Sequence, residues 1–246
     1  MTPIASFHVI RHPSAFAAMT HLGLGRVSLA RTDGLDFWRL LGTGDGRNTG
    51  PGADLRRTAL FAMWANEESL DHYLANAWPN AIEAWHVRLR VVGGHGTWHG
   101  HDVLADSPQP QGQQQALVQS QRQQPIPDGP VAIITRANVR LRRWSAFRAA
   151  GPAVSEELNA APGLIDVLGI GEAPVGRLGT FSLWDDYASA RAFAYQQPHH
   201  RQVIRDTRAG RWYGEELFAR FQPFESTGTR DGRDPLARES TGTNIP

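Results

Sequence analysis

Two adjacent histidines, His199 and His200, stand in the run Gln197-Pro198-His199-His200-Arg201. Imidazole is the side chain in that run able to ligate a metal or a heme iron. With Pro198 in the first turn of a helical segment, where its missing N–H is not needed, His200, Val203, Ile204 and Thr207 fall on one face at i, i+3, i+4 and i+7. That face is apolar and should turn inward, carrying His200 with it. His199 lies about 100° round the helix, toward Asp206. Two readings follow. In one, His200 ligates a heme iron or another metal in the interior. In the other, His200 is a buried imidazole satisfied by a backbone carbonyl, or the pair simply begins a helix at the surface.

His95, His99 and His101 form a second group. On an extended strand these odd positions share one face and could bind a metal through imidazole. Gly93, Gly94, Gly96 and Gly100 surround them, which favours exposed histidines at a Gly-rich strand end. The loops Gly42-Thr43-Gly44-Asp45-Gly46 and Gly169-Ile170-Gly171 lack both the P-loop Lys-Ser/Thr and the spacing of a dinucleotide fingerprint, so they read as structural. No nucleophile elbow, zinc-protease or kinase signature is present.

The elements that must position these groups come in two copies. Phe61-Ala62-Met63-Trp64 returns as Phe181-Ser182-Leu183-Trp184, an offset of 120 (181 − 61). Upstream, Leu40-Leu41-Gly42-Thr43-Gly44-Asp45 resembles Val167-Leu168-Gly169-Ile170-Gly171-Glu172, an offset of 127 (169 − 42). Each half reads as strand, helix, strand, strand, helix, strand. The first half runs Ser6–Arg11, Ser14–Leu29, Leu35–Leu41, Thr58–Trp64, a helix capped by Asn66, and Trp85–Trp98. The second runs Pro130–Val139, Trp144–Asn159, Leu164–Ile170, Gly179–Trp184, a helix from Tyr187 to Arg208 interrupted near Pro198, and Phe218–Phe224. The expected fold is α+β: tandem ferredoxin-like βαββαβ repeats whose bare sheet faces meet, forming an intramolecular version of a dimeric α+β barrel. Residues 1–104 form the first repeat and 130–225 the second. The Gln- and Pro-rich stretch 105–129 reads as a linker, and 226–246 as a disordered tail. The Phe and Trp of the repeated motif are most simply core residues, and the barrel is expected to enclose a cavity.

Composition narrows the function. The formal net charge is +1, and the basic residues alternate with acidic ones, so nucleic acid is not an expected partner. There is no cysteine. That removes disulfides, thiolate zinc, iron–sulfur clusters and thiolate-ligated heme, and it fits a cytoplasmic protein. No run of about 18 apolar residues is available for a transmembrane segment, and the N-terminus does not read as a signal peptide.

Several motifs in one order resemble the spheroidene monooxygenase (acyclic carotenoid ketolase) family. They are Phe37-Trp38 with the Gly-rich loop after it, Ile134-Thr135-Arg136-Ala137, Gly169-Ile170-Gly171-Glu172-Ala173-Pro174, Phe181-Ser182-Leu183-Trp184, His199-His200 with Ile204, and Glu215-Glu216-Leu217-Phe218-Ala219-Arg220-Phe221. The likeness spans about Arg26 to Phe224. It implies a heme b protein that uses O2 and a reduced ferredoxin-type donor to oxidise the C-2 position of an acyclic carotenoid, or another small apolar substrate, to a ketone. It implies His200, or alternatively His199, as the iron ligand, with the heme between the second sheet and the helix bearing His200. Val203, Ile204, Phe181 and Trp184 would line the pocket. Arg136 would act on the distal side or pair with a propionate, and Thr135 on the same strand would face the other layer. A heme-dependent lyase of the aldoxime dehydratase type and a non-enzymatic heme-binding barrel are the alternatives. A homodimer stays open.

Overall fold

Phe61 and Phe181 occupy the same place in two copies of one unit. In the computed structural model, which describes residues 3–47, 52–103, 128–172, 176–196 and 213–237, the elements are β1 (Ile4–Arg11), α1 (Ala15–Leu29), β2 (Leu35–Thr43), β3 (Asp54–Trp64), α2 (Glu67–Leu74) and β4 (Glu83–Gly96). The second half repeats them as β5 (Val131–Val139), α3 (Trp144–Asn159, after one 3-10 turn), β6 (Leu164–Gly171), β7 (Arg177–Trp184), α4 (Tyr187–Gln196) and β8 (Tyr213–Gly228). Phe61 pairs with Phe7 of β1, and Phe181 with Ile134 of β5. This register fixes which residues correspond in the two halves.

The eight strands close into one antiparallel barrel in the order β1-β3-β2-β6-β7-β5-β8-β4. Closure removes the edges that each four-stranded sheet alone would expose. The repeats meet at two seams, and each seam joins a strand to its own counterpart, as at a twofold interface. One is long, running from Trp85↔Gly228 to Gly96↔Leu217. The other holds only Gly42↔Gly171 and Thr43↔Ile170. The registers within each repeat correct the loop echo by two residues. Gly42 lies opposite Thr58 and Gly171 opposite Leu178, so with Phe61 matching Phe181, Gly42 corresponds to Gly171 and not to Gly169, a two-residue slip that keeps the strand face unchanged.

Helix starts follow local chemistry. Ser14 caps α1 through Ala17 N, and Asn66 caps α2 through Ser69 N. At α4 the Asp186 carboxylate accepts from Ser189 N at 2.7 Å. Gly34 and Gly163 are counterparts too. Both have positive φ (71° and 77°), and a Cβ at either would collide with the serine beneath it, Ser69 or Ser189.

A third correspondence lies just past each long strand. Gly96-Thr97-Trp98-His99-Gly100-His101-Asp102 matches Gly228-Thr229-Arg230-Asp231-Gly232-Arg233-Asp234. In both, the chain makes a two-residue turn, bridging Trp98 to His101 and Arg230 to Arg233. The turn residues His99, Gly100, Asp231 and Gly232 all have positive φ, the backbone of a type I′ turn. One turn closes each end of the barrel. The tail expected to be disordered from Ser226 is therefore ordered as far as Ala237. Arg230 is buried against Asp166 and the carbonyls of Gly46 and Val167, and Asp234 accepts from Trp85 Nε1 at 2.9 Å and Ser226 Oγ at 2.6 Å. Few apolar residues are needed where ion pairs and carbonyl contacts satisfy the buried polar groups. Residues 104–127, which hold most of the expected 105–129 linker, and residues 238–246 lie outside the described residues.

The barrel interior is packed with rings. Phe7 stacks on Phe181 at 3.9 Å between centroids, Phe61 lies parallel to Trp98 at 5.7 Å, and Phe221 and Trp85 fill the space between. The expected interior cavity is thus occupied by aromatic side chains. A second apolar layer on each half lies between the sheet and its helices: Ile4, Leu40, Leu60 and Trp64 in the first, Val131, Ile133, Val167 and Trp184 in the second.

Candidate functional site

Strand alternation distributes the expected site residues over two compartments. On β5, Ala132, Ile134 and Arg136 point into the barrel, and Val131, Ile133 and Thr135 point to the helices. On β7, Phe181 is inside against Phe7, whereas Trp184 packs outside against Phe193 of α4. Phe181 and Trp184 therefore do not wall one pocket; three residues along a strand reverse the face. The structure groups Arg136 with Phe181, and Thr135 with Trp184. His199, His200, Val203 and Ile204 lie outside the described residues.

Arg136 is the centre of a buried ionic network at one end of the barrel. Its guanidinium meets Glu215 and lies 3.5 Å from Glu172. Glu172 also accepts from Trp98 Nε1, contacts His99 Nε2 at 2.6 Å and lies 3.6 Å from Arg39. Glu215 accepts from Thr97 Oγ1 and Gly100 N, both at 2.8 Å. Burial raises the Glu215 carboxyl, but the Gly100 N–H, the Arg136 guanidinium and the Thr97 hydroxyl outweigh it and hold the group at about 2. Glu172 is lowered in the same way, against its burial, by Trp98 and His99. Arg136 is thus neutralised by two carboxylates of the chain itself.

The His95/His99/His101 group does not converge. His99 is drawn to Glu172, His101 stacks on Phe37 at 4.7 Å, and His95 stacks on Phe218 at 5.5 Å. The strand ends at Gly96, so the odd-position rule stops applying there. Among the described residues no three His, Cys, Asp or Glu side chains are arranged to hold a metal ion.

The helix-facing sides of the two sheets differ sharply. In the first repeat this side is filled by a histidine cluster. Trp78 Nε1 donates to His21 Nε2 at 3.0 Å, so that nitrogen is unprotonated. His21 Nδ1 must then donate to Thr58 Oγ1 at 3.1 Å, leaving the threonine hydroxyl to donate to His12 Nε2 at 2.9 Å. His8 bridges Ser6 Oγ (2.6 Å) and His86 Nδ1 (3.0 Å), and Trp78 stacks on His86. Burial lowers all four imidazoles. His21, also repelled by His12, and His86 are pushed down to about 4; His8 falls well below its ordinary value, with His86 and Arg88 adding to burial.

This cluster has a measurable consequence. Below about pH 6.5 the unfolded chain takes up protons that the folded chain refuses until about 4, so stability falls as pH drops through that window. Thermal melts between pH 6.5 and 5, above the range in which carboxylates dominate, should show the midpoint falling by on the order of 5 °C per pH unit. His86→Phe, which keeps the stack on Trp78, should flatten that slope. An unchanged slope would assign the acid sensitivity elsewhere.

In the second repeat five of the corresponding positions shrink, while Thr58 becomes the larger Leu178. By strand register His8 becomes Thr135, Ile10 becomes Ala137, Leu60 becomes Thr180, Leu40 becomes Gly169 and Trp38 becomes Val167. His8, Ile10, Leu60 and Leu40 are at most 3% exposed, whereas Thr135, Ala137 and Thr180 are only half-buried. This part of the sheet face therefore carries small side chains, with Thr135 Oγ1 and Thr180 Oγ1 sharing a 2.7 Å hydrogen bond. Charge differs as well. Arg88 of the first repeat is paired with Asp71 (2.5 Å), Glu225 (3.4 Å) and Glu67 (4.0 Å). Its counterpart Arg220 lies over the Tyr187 ring at 4.9 Å, and its buried Nε has no hydrogen-bond partner among the described residues. The helix positions that supply Glu67 and Asp71 in α2 hold Tyr187 and Arg191 in α4. This face therefore presents an arginine with no carboxylate among the described residues to neutralise it, the chemistry of an anion anchor. Reading one strand at a time could not find Arg220; aligning the two repeats does.

Comparison with known proteins agrees with this architecture. No protein-family model matches the chain. It is 30% identical to a spheroidene monooxygenase from Rhodobacter capsulatus, covering 96% of either chain. It is 31% identical to a spheroidene monooxygenase from Rubrivivax gelatinosus, covering 81% of this chain and 73% of that one. A crystal structure of aldoxime dehydratase superposes with a TM-score of 0.55 at 12% identity, over 91% of this chain and 82% of that one, and supports the shared barrel fold. On the strength of the near full-length match, the chain belongs to the spheroidene monooxygenase family and is an oxidoreductase.

Proposed function

We propose that the protein is a heme-dependent monooxygenase that oxidises a small apolar molecule, an acyclic carotenoid or a close analogue, and that the heme lies on the helix-facing side of the second repeat. The observation that carries this reading is the difference between the two faces. Five positions filled by large side chains in the first repeat hold Thr135, Ala137, Gly169, Thr180 and Val167 in the second. A flat macrocycle needs such a floor, and its carboxylates need a cation. Arg220, whose counterpart is saturated by carboxylates and which itself meets none among the described residues, supplies one.

Bound there, a heme would supply the activation of O2 that no side chain of this cysteine-free chain can perform. The chain's own residues do the rest. Arg220 anchors the propionates. Thr135 and Thr180 share one hydrogen bond, which leaves one hydroxyl proton of the pair to donate to a bound group. Ile133, Val167 and Trp184 exclude water from the deep side. His200 lies four residues beyond α4, which packs on this same sheet face through Phe193 and Ala190; it is the proposed iron ligand, with His199 the alternative. Electrons come from a small ferredoxin-type donor. Absorption spectra of the purified protein, oxidised and then reduced under CO, are the test, followed by turnover of an acyclic carotenoid with O2. A Soret band with a CO-reduced maximum near that of His-ligated heme is expected. A colourless protein that does not bind added hemin would overturn the reading.

A further inference from the structure

The connection from first strand to first helix differs between the two repeats. With Phe7 matched to Ile134, His12 corresponds to Val139, and the two make the same backbone bond: His12 N donates to Arg56 O and Val139 N to Gly176 O. In the first repeat one residue, Pro13, separates His12 from the N-cap Ser14. In the second, Arg140, Leu141 and Arg142 separate Val139 from Arg143, which stands at the N-cap of α3. The longer connection presents an Arg-Leu-Arg-Arg turn to solvent. All four residues are exposed, Leu141 at 77%. Arg143 makes no side-chain capping bond, and the first turn of α3 holds no acid. The partial positive charge of that helix end therefore adds to the arginines. Trp144 and Phe147, both half-buried, follow the turn and stack at 5.8 Å.

Residues 129–155 hold five arginines and no Asp or Glu. Exposed Arg177, opposite Asn138 on β7, brings a fourth exposed guanidinium to Arg140, Arg142 and Arg143. The ends of β6 and β8 beside the turn carry Glu172, Glu215 and Glu216. Glu172 is held by Trp98, His99 and Arg39, and Glu215 by Arg136. Glu216, exposed opposite Ala137, is left: one carboxylate against four arginines among the described residues of these strand ends. An exposed leucine set among arginines has the composition of a protein contact, with an apolar centre and a charged rim. The patch is small, which suits the brief encounters of electron-transfer partners, the low end of interface sizes. Its place gives the purpose. Arg140 lies five residues along the chain from Thr135, about 16 Å in extended backbone, so the turn stands at the end of the sheet face proposed for the heme. Monooxygenation of a C–H bond consumes one O2, two electrons and two protons, and yields the hydroxylated product and one water. The electrons come from outside the chain, and two reduced one-electron donors are oxidised for each O2.

We propose that Arg140, Leu141, Arg142, Arg143 and Arg177 form the docking surface for an acidic protein that delivers electrons to this enzyme one at a time. The assignment rests on the proposed function, so docking is measured apart from heme. The probe is an acidic plant-type [2Fe–2S] ferredoxin, titrated in its oxidised form onto the immobilised full chain. Binding is expected to weaken as salt is added, because charge complementarity sets the encounter. Arg142→Glu/Arg143→Glu should weaken binding at least about tenfold, with an unchanged circular dichroism melt. Arg56→Glu/Arg233→Glu makes the same change of charge on exposed arginines at the opposite end of the barrel and should leave binding intact. In heme-loaded protein, Arg142→Glu/Arg143→Glu should slow heme reduction by reduced ferredoxin at least about tenfold and leave reduction by dithionite unchanged. The proposal is overturned if the wild-type chain does not bind ferredoxin, if Arg142→Glu/Arg143→Glu binds it as well as wild type, or if Arg56→Glu/Arg233→Glu weakens binding as much. Loss of binding to phosphatidylglycerol vesicles or duplex DNA, with ferredoxin binding unchanged, would give these arginines to that polyanion and overturn it too. A chain that binds ferredoxin through these arginines but shows no Soret band would count against the proposed function and leave the docking surface standing. A chain with the band that binds no ferredoxin would do the reverse.

Discussion

Replacing His200 with alanine is expected to abolish the Soret band of the purified protein while the far-ultraviolet circular dichroism stays that of the wild type. In sequence, His200 has the i, i+3, i+4 and i+7 spacing of one helical face with Val203, Ile204 and Thr207, which makes it the proposed inward ligand, with His199 toward Asp206. The eight strands close into a barrel through pairings among themselves, so the fold should survive its change. His199→Ala should keep the band and lower turnover. Arg220→Leu should keep the iron ligand but speed heme loss by about tenfold or more, because two carboxylates lose a charge-assisted partner. The reverse result for the histidines, band lost in His199→Ala and kept in His200→Ala, would exchange their roles. If both single variants keep the band, His95 is the next ligand to test: of His95, His99 and His101 it alone stacks beside Phe218, on the helix-facing side of β8.

The repeat was legible because it lives in contiguous strands. Phe61-Ala62-Met63-Trp64 and its counterpart alternate in and out with the period of two that a strand imposes, so element order and barrel closure followed from the residues. Trp144–Asn159 emerged with the bounds read from the sequence. What the sequence concealed lies in pairing across strands. The offset of 127 at the glycine loops differs from the 129 (171 − 42) fixed by the strand registers because a longer connection in the first half obscures the count. The turn Arg230-Asp231-Gly232-Arg233 sat in a stretch with little to bury, yet Asp-Gly is a strong hairpin signal, and its match to Trp98-His99-Gly100-His101 was available on the page. The same match explains the histidines of that segment: His99 occupies a turn position and meets Glu172, which no strand rule applied to odd positions could show. His8, His12, His21 and His86 escaped notice because four residues scattered over 79 positions acquire a common role only when β1, α1 and β4 are side by side. Phe181 and Trp184 were read together from their shared motif, although three residues along a strand separate them onto opposite faces.

The second large effect is expected at Arg136. Arg136→Met should lower the thermal midpoint by about 6–20 °C, corresponding to about 3–5 kcal/mol for breaking a buried ion pair from one side. The side chain is 2% exposed, and its partners Glu172 and Glu215 are 9% and 20% exposed. Without it, Glu172 retains Arg39 and His99, but Glu215 keeps only neutral donors, the Thr97 hydroxyl and the Gly100 and His99 N–H groups. The double variant Arg136→Met/Glu215→Leu should therefore recover a substantial part of the loss, since it removes the stranded charge along with its partner. Heme content, measured on the same preparations, separates this role from the one the family resemblance implies. A stabilising arginine at the barrel end lowers the melting point and leaves heme binding at low temperature intact. An arginine acting on heme or substrate would do the opposite, with the melting point of the heme-free protein unchanged and the Soret band or turnover lost. The inward direction of Arg136, away from Thr135 and toward two carboxylates of its own chain, predicts the first result.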